Sequence, residues 1–195
     1  MKVNATAAER LASRPGDQIV GDGAMTMNRA FTVAATPEQV WPWLLQLGKA
    51  RAGWYFPRSA ESVIPPSRRG VRRIHPQWQH LKVGDIIPDY GGAKGYFEVA
   101  EILAPRTLVY RSVRGGMALS WAITLESVPG PASRTRVCLR LRLNPVRRRW
   151  LARLGELIDV LTVAGLAAGL QERLAEQRDG DRAPRRRRRT WPGGG

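Results

Sequence analysis

Hydrophobic and polar residues follow two different periods along this chain of 195 residues. In the C-terminal third, apolar residues recur at three- and four-residue steps, which is the period of an α-helix. The run from Leu157 to Leu170 is almost entirely apolar and is interrupted only by Asp159 and Thr162. The pattern predicts a long helix from about Pro145 to Gln177. A helix that is apolar around most of its circumference must be covered by other parts of the protein on more than one side.

The middle of this predicted helix consists of small residues, and its apolar residues form a stripe. The small residues are Ala164, Gly165, Ala167, Ala168 and Gly169, and the stripe is Leu154, Ile158, Leu161, Gly165 and Ala168. Small side chains either let a neighbouring backbone approach closely or leave room for a ligand. We therefore expect Leu161, Gly165 and Ala168 to line a cavity beside the helix.

Between residues 27 and 143 the pattern includes segments in which apolar and polar residues alternate, which is typical of strands. The predicted strands are Met27–Ala34, Asp85–Pro88, Gly95–Leu103, Thr107–Val113, Ala118–Ser127 and Arg134–Leu143. The turns between the last four are short, and short turns require antiparallel neighbours. On the last strand Arg136, Cys138, Arg140 and Arg142 alternate with apolar residues, so they are expected to face outward. The sheet then has one dry face, which the long helix covers.

Helical signals also occur before most of these strands. In Thr36-Pro37-Glu38-Gln39 the threonine can cap a helix, the proline suits the first helical position, and the glutamine can complete a capping box. These features predict a helix over Pro37–Leu47. A passage rich in proline and arginine then predicts a short helix near Arg58–Val63 and a mobile loop at Pro65–Arg73. The order of elements indicates an α+β fold.

Charge changes this picture more than overall composition does. The apolar fraction, 43%, is ordinary, but 32 basic and 16 acidic residues give a net charge of +16. Such a charge favours polyanions or anionic membrane surfaces. Residues 1–24 are polar and rich in glycine, and we expect a flexible N-terminal arm there. The folded domain is predicted to span residues 25–178, followed by a disordered Arg-rich tail at 179–195.

The location of the protein is suggested by its cysteine content and its apolar segments. The single cysteine, Cys138, excludes an intrachain disulfide and fits a reducing compartment. Met1–Gly23 contains no apolar signal segment. The Leu157–Leu170 run is shorter than the roughly 20 residues that span a bilayer. We interpret the chain as a soluble cytoplasmic protein, with a peripheral position at a membrane as the alternative.

Three stretches resemble the START/Bet v 1-like (SRPBCC) superfamily, which includes polyketide cyclase/dehydrase-like proteins. They are Ala35-Thr36-Pro37-Glu38-Gln39-Val40-Trp41-Pro42-Trp43-Leu44, then Gly53-Trp54-Tyr55, then Pro76-Gln77-Trp78-Gln79-His80-Leu81-Lys82-Val83-Gly84-Asp85. The resemblance covers roughly residues 25–178 and implies a helix-grip fold, a curved antiparallel sheet wrapped around a long C-terminal helix with an apolar cavity between them. Members bind lipids, sterols or polyketides, and some catalyse cyclisation. The Arg-rich segment 68–73 and the tail depart from the family pattern.

The sequence contains no pattern that identifies catalytic residues, a metal site or a cofactor. It has two histidines and one cysteine, and the usual phosphate-loop, dinucleotide and nucleophile motifs are missing. What remains is a set of aromatic residues with polar tips, which suits a ligand pocket. These candidate ligand-binding residues are Trp54, Tyr55, Tyr90, Tyr96 and Trp121, beside the three helix positions named above. The alternative is that each ring simply fills the core.

Three functions follow from these observations. The preferred one is binding of a hydrophobic small molecule or lipid in an internal cavity, without covalent chemistry. The second is a cyclase/aromatase-like enzyme that would use Tyr90, Tyr96, His75 or Arg111 to move protons. The third is a module that binds an anionic membrane or nucleic acid through its arginines and its basic tail. No spacing in the sequence identifies the ligand or fixes the oligomeric state.

Overall fold

The computed structural model of the chain describes residues 2–90, 95–145 and 149–182. Its helices are α1 (Ala7–Leu11), α2 (Pro37–Gln46), α3 (Arg58–Glu61) and α4 (Arg149–Arg182). Its strands are β1 (Met25–Val33), β2 (Ile86–Pro88), β3 (Tyr96–Leu103), β4 (Thr107–Arg114), β5 (Met117–Val128) and β6 (Arg134–Asn144). Single 3₁₀ turns lie at Asp17–Ile19, Pro66–Arg68 and Pro76–Trp78. The predicted order from β1 to α4 is confirmed, with boundaries that differ by a few residues, whereas α1 lies in the segment that was predicted to be a flexible arm.

All six strands belong to one antiparallel sheet with the order β1-β6-β5-β4-β3-β2. The two-residue turn between β4 and β5 uses Gly115 and Gly116 at φ 54° and 81°, values that favour glycine. Phe31, Val137 and Ile123 lie on the inner face of the curved sheet, where the core is formed. The long C-terminal helix packs on this face. The architecture is therefore the predicted α+β helix-grip fold.

Helix α2 closes one end of the core. Its capping box is formed as predicted: the Thr36 side chain accepts a hydrogen bond from the Gln39 amide, and the Gln39 side chain accepts one from the Thr36 amide. Val40 and Leu44 are buried between the sheet and α4, and Trp43 donates its indole hydrogen to Gln177 of α4 at 3.0 Å. The three elements thus share one apolar core.

The face of α4 that meets the sheet differs from the predicted stripe. Its buried residues are Val163, Leu166, Ala167, Leu170 and Leu174. Ile158 and Leu161, in contrast, are 55% and 63% exposed. Because residues 157–170 are apolar around most of the helix, three- and four-residue spacing fits more than one face, and the sheet selects the face that is buried.

The N-terminal segment is packed rather than loose, which corrects the prediction of a flexible arm for residues 2–24. Val3, Ala5 and Val20 are buried. The guanidinium of Arg140, on the outer face of β6, donates hydrogen bonds to the carbonyl oxygens of residues 9, 10 and 12 and lies 2.7 Å from the Asp17 carboxylate. The segment covers the outer face of the sheet because it supplies the acceptors that these cations need.

The predicted solvent-facing row of β6 is therefore largely covered. Arg136 pairs with Glu9 at 2.7 Å, and Arg142 donates to the carbonyl oxygen of Asp17. Cys138 does face outward, but it is buried with Ala5 and Ala30 under the N-terminal segment. Burial raises the pKa of the Cys138 thiol to about 11. A thiol that is protonated at neutral pH is a poor nucleophile.

The passage from 57 to 73 was predicted to contain a mobile loop, but the structure ties it to α4. Arg173 of α4 is fully buried and pairs with Glu61 of α3 at 2.7 Å. Arg72 pairs with Glu61 at 2.7 Å and with Glu172 of α4 at 2.7 Å. Alternating charges hold the Arg-rich segment against the helix, and this passage forms one wall of the site described below.

Candidate functional site

A cavity of about 570 Å³ lies between the inner face of the sheet and the N-terminal half of α4. The sheet contributes Phe97, Leu119, Trp121, Leu141 and Leu143 to its wall. The loops contribute Trp54, Phe56, Ile64 and Tyr90, and the helix contributes Val163. A wall of this kind favours an apolar guest.

Trp121 is the centre of the aromatic part of this wall. Its ring stacks on Trp54 at 5.9 Å between ring centroids and on Tyr110 at 5.5 Å, and it lies 5.7 Å from the ring of Phe97. The indole N–H of Trp54 donates to the carbonyl oxygen of Thr162 at 3.1 Å. This bond satisfies the polar edge of the indole and leaves its apolar body for the cavity.

Charged residues interrupt the apolar wall near the end of β4. Arg114 and Asp89 form an ion pair at 2.6 Å, and the Arg114 guanidinium lies 4.8 Å from the centroid of the Phe97 ring. The carbonyl oxygen of Asp89 also accepts a hydrogen bond from Lys49 at 3.3 Å. Arg68 is exposed and lies on the cavity wall.

A second ion pair lies on the β1 side of the cavity. Arg29, on the inner face of β1, places its Nε 2.9 Å from Oδ2 of Asp159, and Asp159 lines the cavity beside Thr162. Burial raises the pKa of the Asp159 carboxyl group, and the nearby Arg29 only partly opposes this shift. Asp159 and Thr162 are the two residues that interrupt the apolar run of the helix. The sequence showed these two interruptions but not their place on the cavity wall.

Three of the five aromatic residues proposed for ligand binding lie together at the cavity: Trp54, Tyr90 and Trp121. Tyr55 does not. It is fully buried in the core and donates its hydroxyl hydrogen to the carbonyl oxygen of Trp43 at 2.8 Å. Tyr96 is 36% exposed, and its side chain is not part of the wall that the neighbouring Phe97 helps to form.

The three helix positions proposed for the cavity wall lie elsewhere. Leu161 points to solvent, and Ala168 is half-buried outside the cavity wall. A side-chain Cβ at Gly165 would lie 2.6 Å from the ring of Phe56. Gly165 therefore serves close approach, the other role that the sequence allowed for the small residues, and Phe56 stands between Gly165 and the cavity. Phe56 was missed because its position depends on this packing.

The groups proposed for an enzyme are not gathered at one place. Tyr90 lines the cavity, but the ring of His75 packs against Trp78 with centroids 4.8 Å apart, and Arg111 points outward and pairs with Glu98. Among the residues that the structure describes, no group of three His, Cys, Asp or Glu side chains could hold a metal ion. None of the described helices is long and apolar enough to cross a membrane.

The sequence matches no protein-family model and no curated protein. Among solved structures, it is similar to norcoclaurine synthase from Thalictrum flavum, a point mutant in complex with a transition-state analogue (12% identity, TM-score 0.46, 82% of this chain and 99% of that chain covered). It is also similar to CalU16 from Micromonospora echinospora (13% identity, TM-score 0.43, 81% of this chain and 86% of that chain covered). A third similar structure is protein MLL2253 from Mesorhizobium loti (18% identity, TM-score 0.45, 78% of this chain and 98% of that chain covered). Likeness at this level carries no argument about activity.

Proposed function

We propose that this protein binds a hydrophobic small molecule or lipid in the cavity between the sheet and α4. The observation that supports this function best is the cavity itself, whose volume of about 570 Å³ falls within the range of small-molecule sites. Its wall is mainly aromatic and aliphatic, and a few charged groups could orient a guest. This function also agrees with the resemblance of the sequence to the START/Bet v 1-like superfamily, membership of which stays an interpretation.

The two alternative functions receive less support. A cyclase needs a proton donor or acceptor placed against the guest. Of its four candidates only Tyr90 lies on the wall. A nucleic-acid or membrane module was based partly on the arginines of β6, and three of them, Arg136, Arg140 and Arg142, are engaged by the N-terminal segment. The disordered basic tail was predicted at 179–195, but residues 179–182 are the last residues of α4, and 183–195 lie outside the described residues.

The proposal is tested by titrating the protein with Nile red, a neutral dye that fluoresces in apolar surroundings. The variant Leu141→Trp fills the cavity from β6, and Met117→Trp does so from the start of β5. Val113→Trp is the matched control, because Val113 is 63% exposed on β4 and is not part of the wall. Circular dichroism and thermal unfolding establish that each variant is folded.

We expect saturable dye binding by the natural protein and by Val113→Trp, with a loss of at least about tenfold in affinity for either filling variant. A tenfold loss corresponds to about 1.4 kcal/mol. Native mass spectrometry of the purified protein would in addition detect a retained guest. If folded filling variants bind the dye as tightly as the control does, the cavity is not the binding site.

A further inference from the structure

The ion pair of Arg29 and Asp159 is unusual because each member lies in an otherwise apolar surface. Arg29 occupies an inner-face position of β1 that Met27 and Phe31 share, and Asp159 belongs to the apolar run of α4. Their side chains are only 12% and 18% exposed. A buried charge is costly unless it is paired and hydrogen-bonded, so this position needs a compensating role.

The pairing of these two groups is incomplete. Nε of Arg29 and Oδ2 of Asp159 are 2.9 Å apart, yet both atoms are buried and neither makes a well-aligned hydrogen bond within the described part of the chain. Nη2 of Arg29 is shared with the carbonyl oxygen and the carboxylate of Glu156, at 3.4 and 3.5 Å. Two carboxylates therefore share one guanidinium. Glu156 is 56% exposed and is not part of the cavity wall, so Asp159 is the carboxylate that lies on the β1 side of the cavity.

Neither of the two arginines of the wall, Arg68 and Arg114, forms an ion pair with Asp159 within the described part of the chain. Arg68 is exposed and belongs to the 3₁₀ turn at Pro66–Arg68. Arg114 pairs with Asp89 and lies over the ring of Phe97. These residues lie near β2 and β3, at the opposite edge of the sheet from β1. An aromatic surface lies close to Asp159, however. The indole of Trp54 is bonded to the carbonyl oxygen of Thr162, one helical turn further along α4. Carboxylates accept strong hydrogen bonds, and aromatic faces attract organic cations.

We propose that Asp159 receives the polar head of the bound guest, and that this head is a hydrogen-bond donor, such as a protonated amine or a hydroxyl group, and not a carboxylate. The inference rests on the proposed function, because it requires a guest in the cavity. Oδ2 of Asp159 faces Nε of Arg29 at 2.9 Å, so Oδ1 is the oxygen that the proposal assigns to the guest. The apolar body of the guest then extends along the stacked rings of Trp54 and Trp121.

A simpler role for the pair is to clamp α4 to β1. A clamp acts on the fold, so its loss would weaken the binding of every guest to the same extent. A binding group acts on the head of the guest, so its loss would change the order of affinities among guests. The experiment is designed to separate these two effects.

The test uses three probes with the same apolar body: naphthylethylamine, naphthylethanol and naphthylacetate. Each competes with Nile red for the 195-residue protein, for the variants Asp159→Asn and Asp159→Leu, and for the control Glu156→Gln. Glu156 is on the same helix and contacts the same arginine, but its side chain is 56% exposed. Asp159→Asn keeps the size of the side chain, and Nile red binding reports whether the cavity of each variant is intact.

We expect the natural protein and Glu156→Gln to bind the amine and the alcohol at least about tenfold more tightly than naphthylacetate, as hydrogen bonds to a charged group allow. Asp159→Asn should lower the affinity for the amine most, and Asp159→Leu should remove the preference. The ratio of amine to alcohol affinity shows which donor is preferred. Equal or tighter binding of naphthylacetate by the natural protein would overturn the proposal, as would an equal loss for all three probes in Asp159→Asn. Failure of Nile red to bind at all would instead contradict the proposed function.

Discussion

The sharpest prediction about stability concerns Arg173, which joins the helix to the passage that forms one wall of the cavity. This guanidinium is fully buried and donates to the carbonyl oxygens of Val71 at 2.7 Å, Gly70 at 2.9 Å and Phe56 at 3.0 Å. It also pairs with Glu61 at 2.7 Å. Burial lowers the pKa of Arg173, but the ordinary value is so high that the side chain remains a cation at neutral pH.

We predict that Arg173→Met destabilises the protein by about 3–5 kcal/mol, the usual cost of removing one partner from a buried ion pair. The change removes a donor from the carbonyl oxygens of residues 56, 70, 71 and 169, and unsatisfied buried groups cost about 1–3 kcal/mol each. Arg72 still holds Glu61 at 2.7 Å, which keeps the loss from being larger. The total stability of a domain is about 5–15 kcal/mol, so the effect is a large fraction of it.

The measurement is urea unfolding followed by circular dichroism, supported by calorimetry. A loss of this size should lower the unfolding midpoint by roughly 10 °C, at about 2–4 °C per kcal/mol for a domain of this size. Arg58→Met is the matched control, because Arg58 pairs with Glu176 while its side chain is 68% exposed. Exposed pairs contribute less than about 1 kcal/mol.

A double-mutant cycle tests the physical cause. The double variant Glu61→Gln/Arg173→Met should lose less unfolding free energy than the sum of the two single variants, by about 1 kcal/mol or more. The reason is that the double variant no longer buries a Glu61 charge that has lost Arg173. A cost for Arg173→Met no greater than that for Arg58→Met, or strict additivity with Glu61→Gln, would show that this buried network does not hold the wall as described.

The remaining predictions concern close packing and the N-terminal segment. Gly169→Ala should destabilise the protein by about 1–3 kcal/mol in urea unfolding, because the added Cβ would lie 2.7 Å from backbone atoms of residues 55 and 56. Gly180→Ala is the control, since its Cβ would meet open space, and it should stabilise the protein by about 0.5–1 kcal/mol. Equal effects of the two substitutions would contradict the close approach at Gly169. Burial raises the pKa of Cys138 from 9.0 to about 11, so its reaction with a thiol reagent at pH 8 should be roughly a hundredfold slower than that of an ordinary cysteine. Deleting residues 1–24 should restore the ordinary reaction rate. Fast labelling of Cys138 in the intact chain would argue against its burial. The hydrogen bond from Arg136 lowers the pKa of Glu9 from 4.5 to about 2. The Glu9 carboxylate therefore stabilises the docked N-terminal segment fully above pH 4.5, and this stabilisation is lost as the pH falls toward 2. Protection of the amides of residues 3–20 from hydrogen exchange should decrease over that pH range in the natural protein and much less in Glu9→Gln.

The sequence by itself determined the order and type of the elements from β1 to α4. Alternation with a period of two identified the strands, and the Thr36 capping signal located the start of α2, because both depend on local backbone geometry. Short turns between the last four predicted strands then required antiparallel pairing. Trp54, Tyr90 and Trp121 could be proposed for the cavity because large rings with polar tips near loops are typical of ligand sites.

Only the tertiary structure decided which face of α4 is buried, and with it the position of the cavity. Leu161 and Val163 are equally apolar in the sequence, but one is exposed and the other lies on the wall, since the run of apolar residues surrounds the helix. The partners of Arg29 and Arg173 were hidden for a related reason. A charge in an apolar pattern shows that a partner is needed, but the partner lies more than 100 residues away in both cases. Contacts between distant segments depend on how the whole chain packs, which local periodicity does not encode.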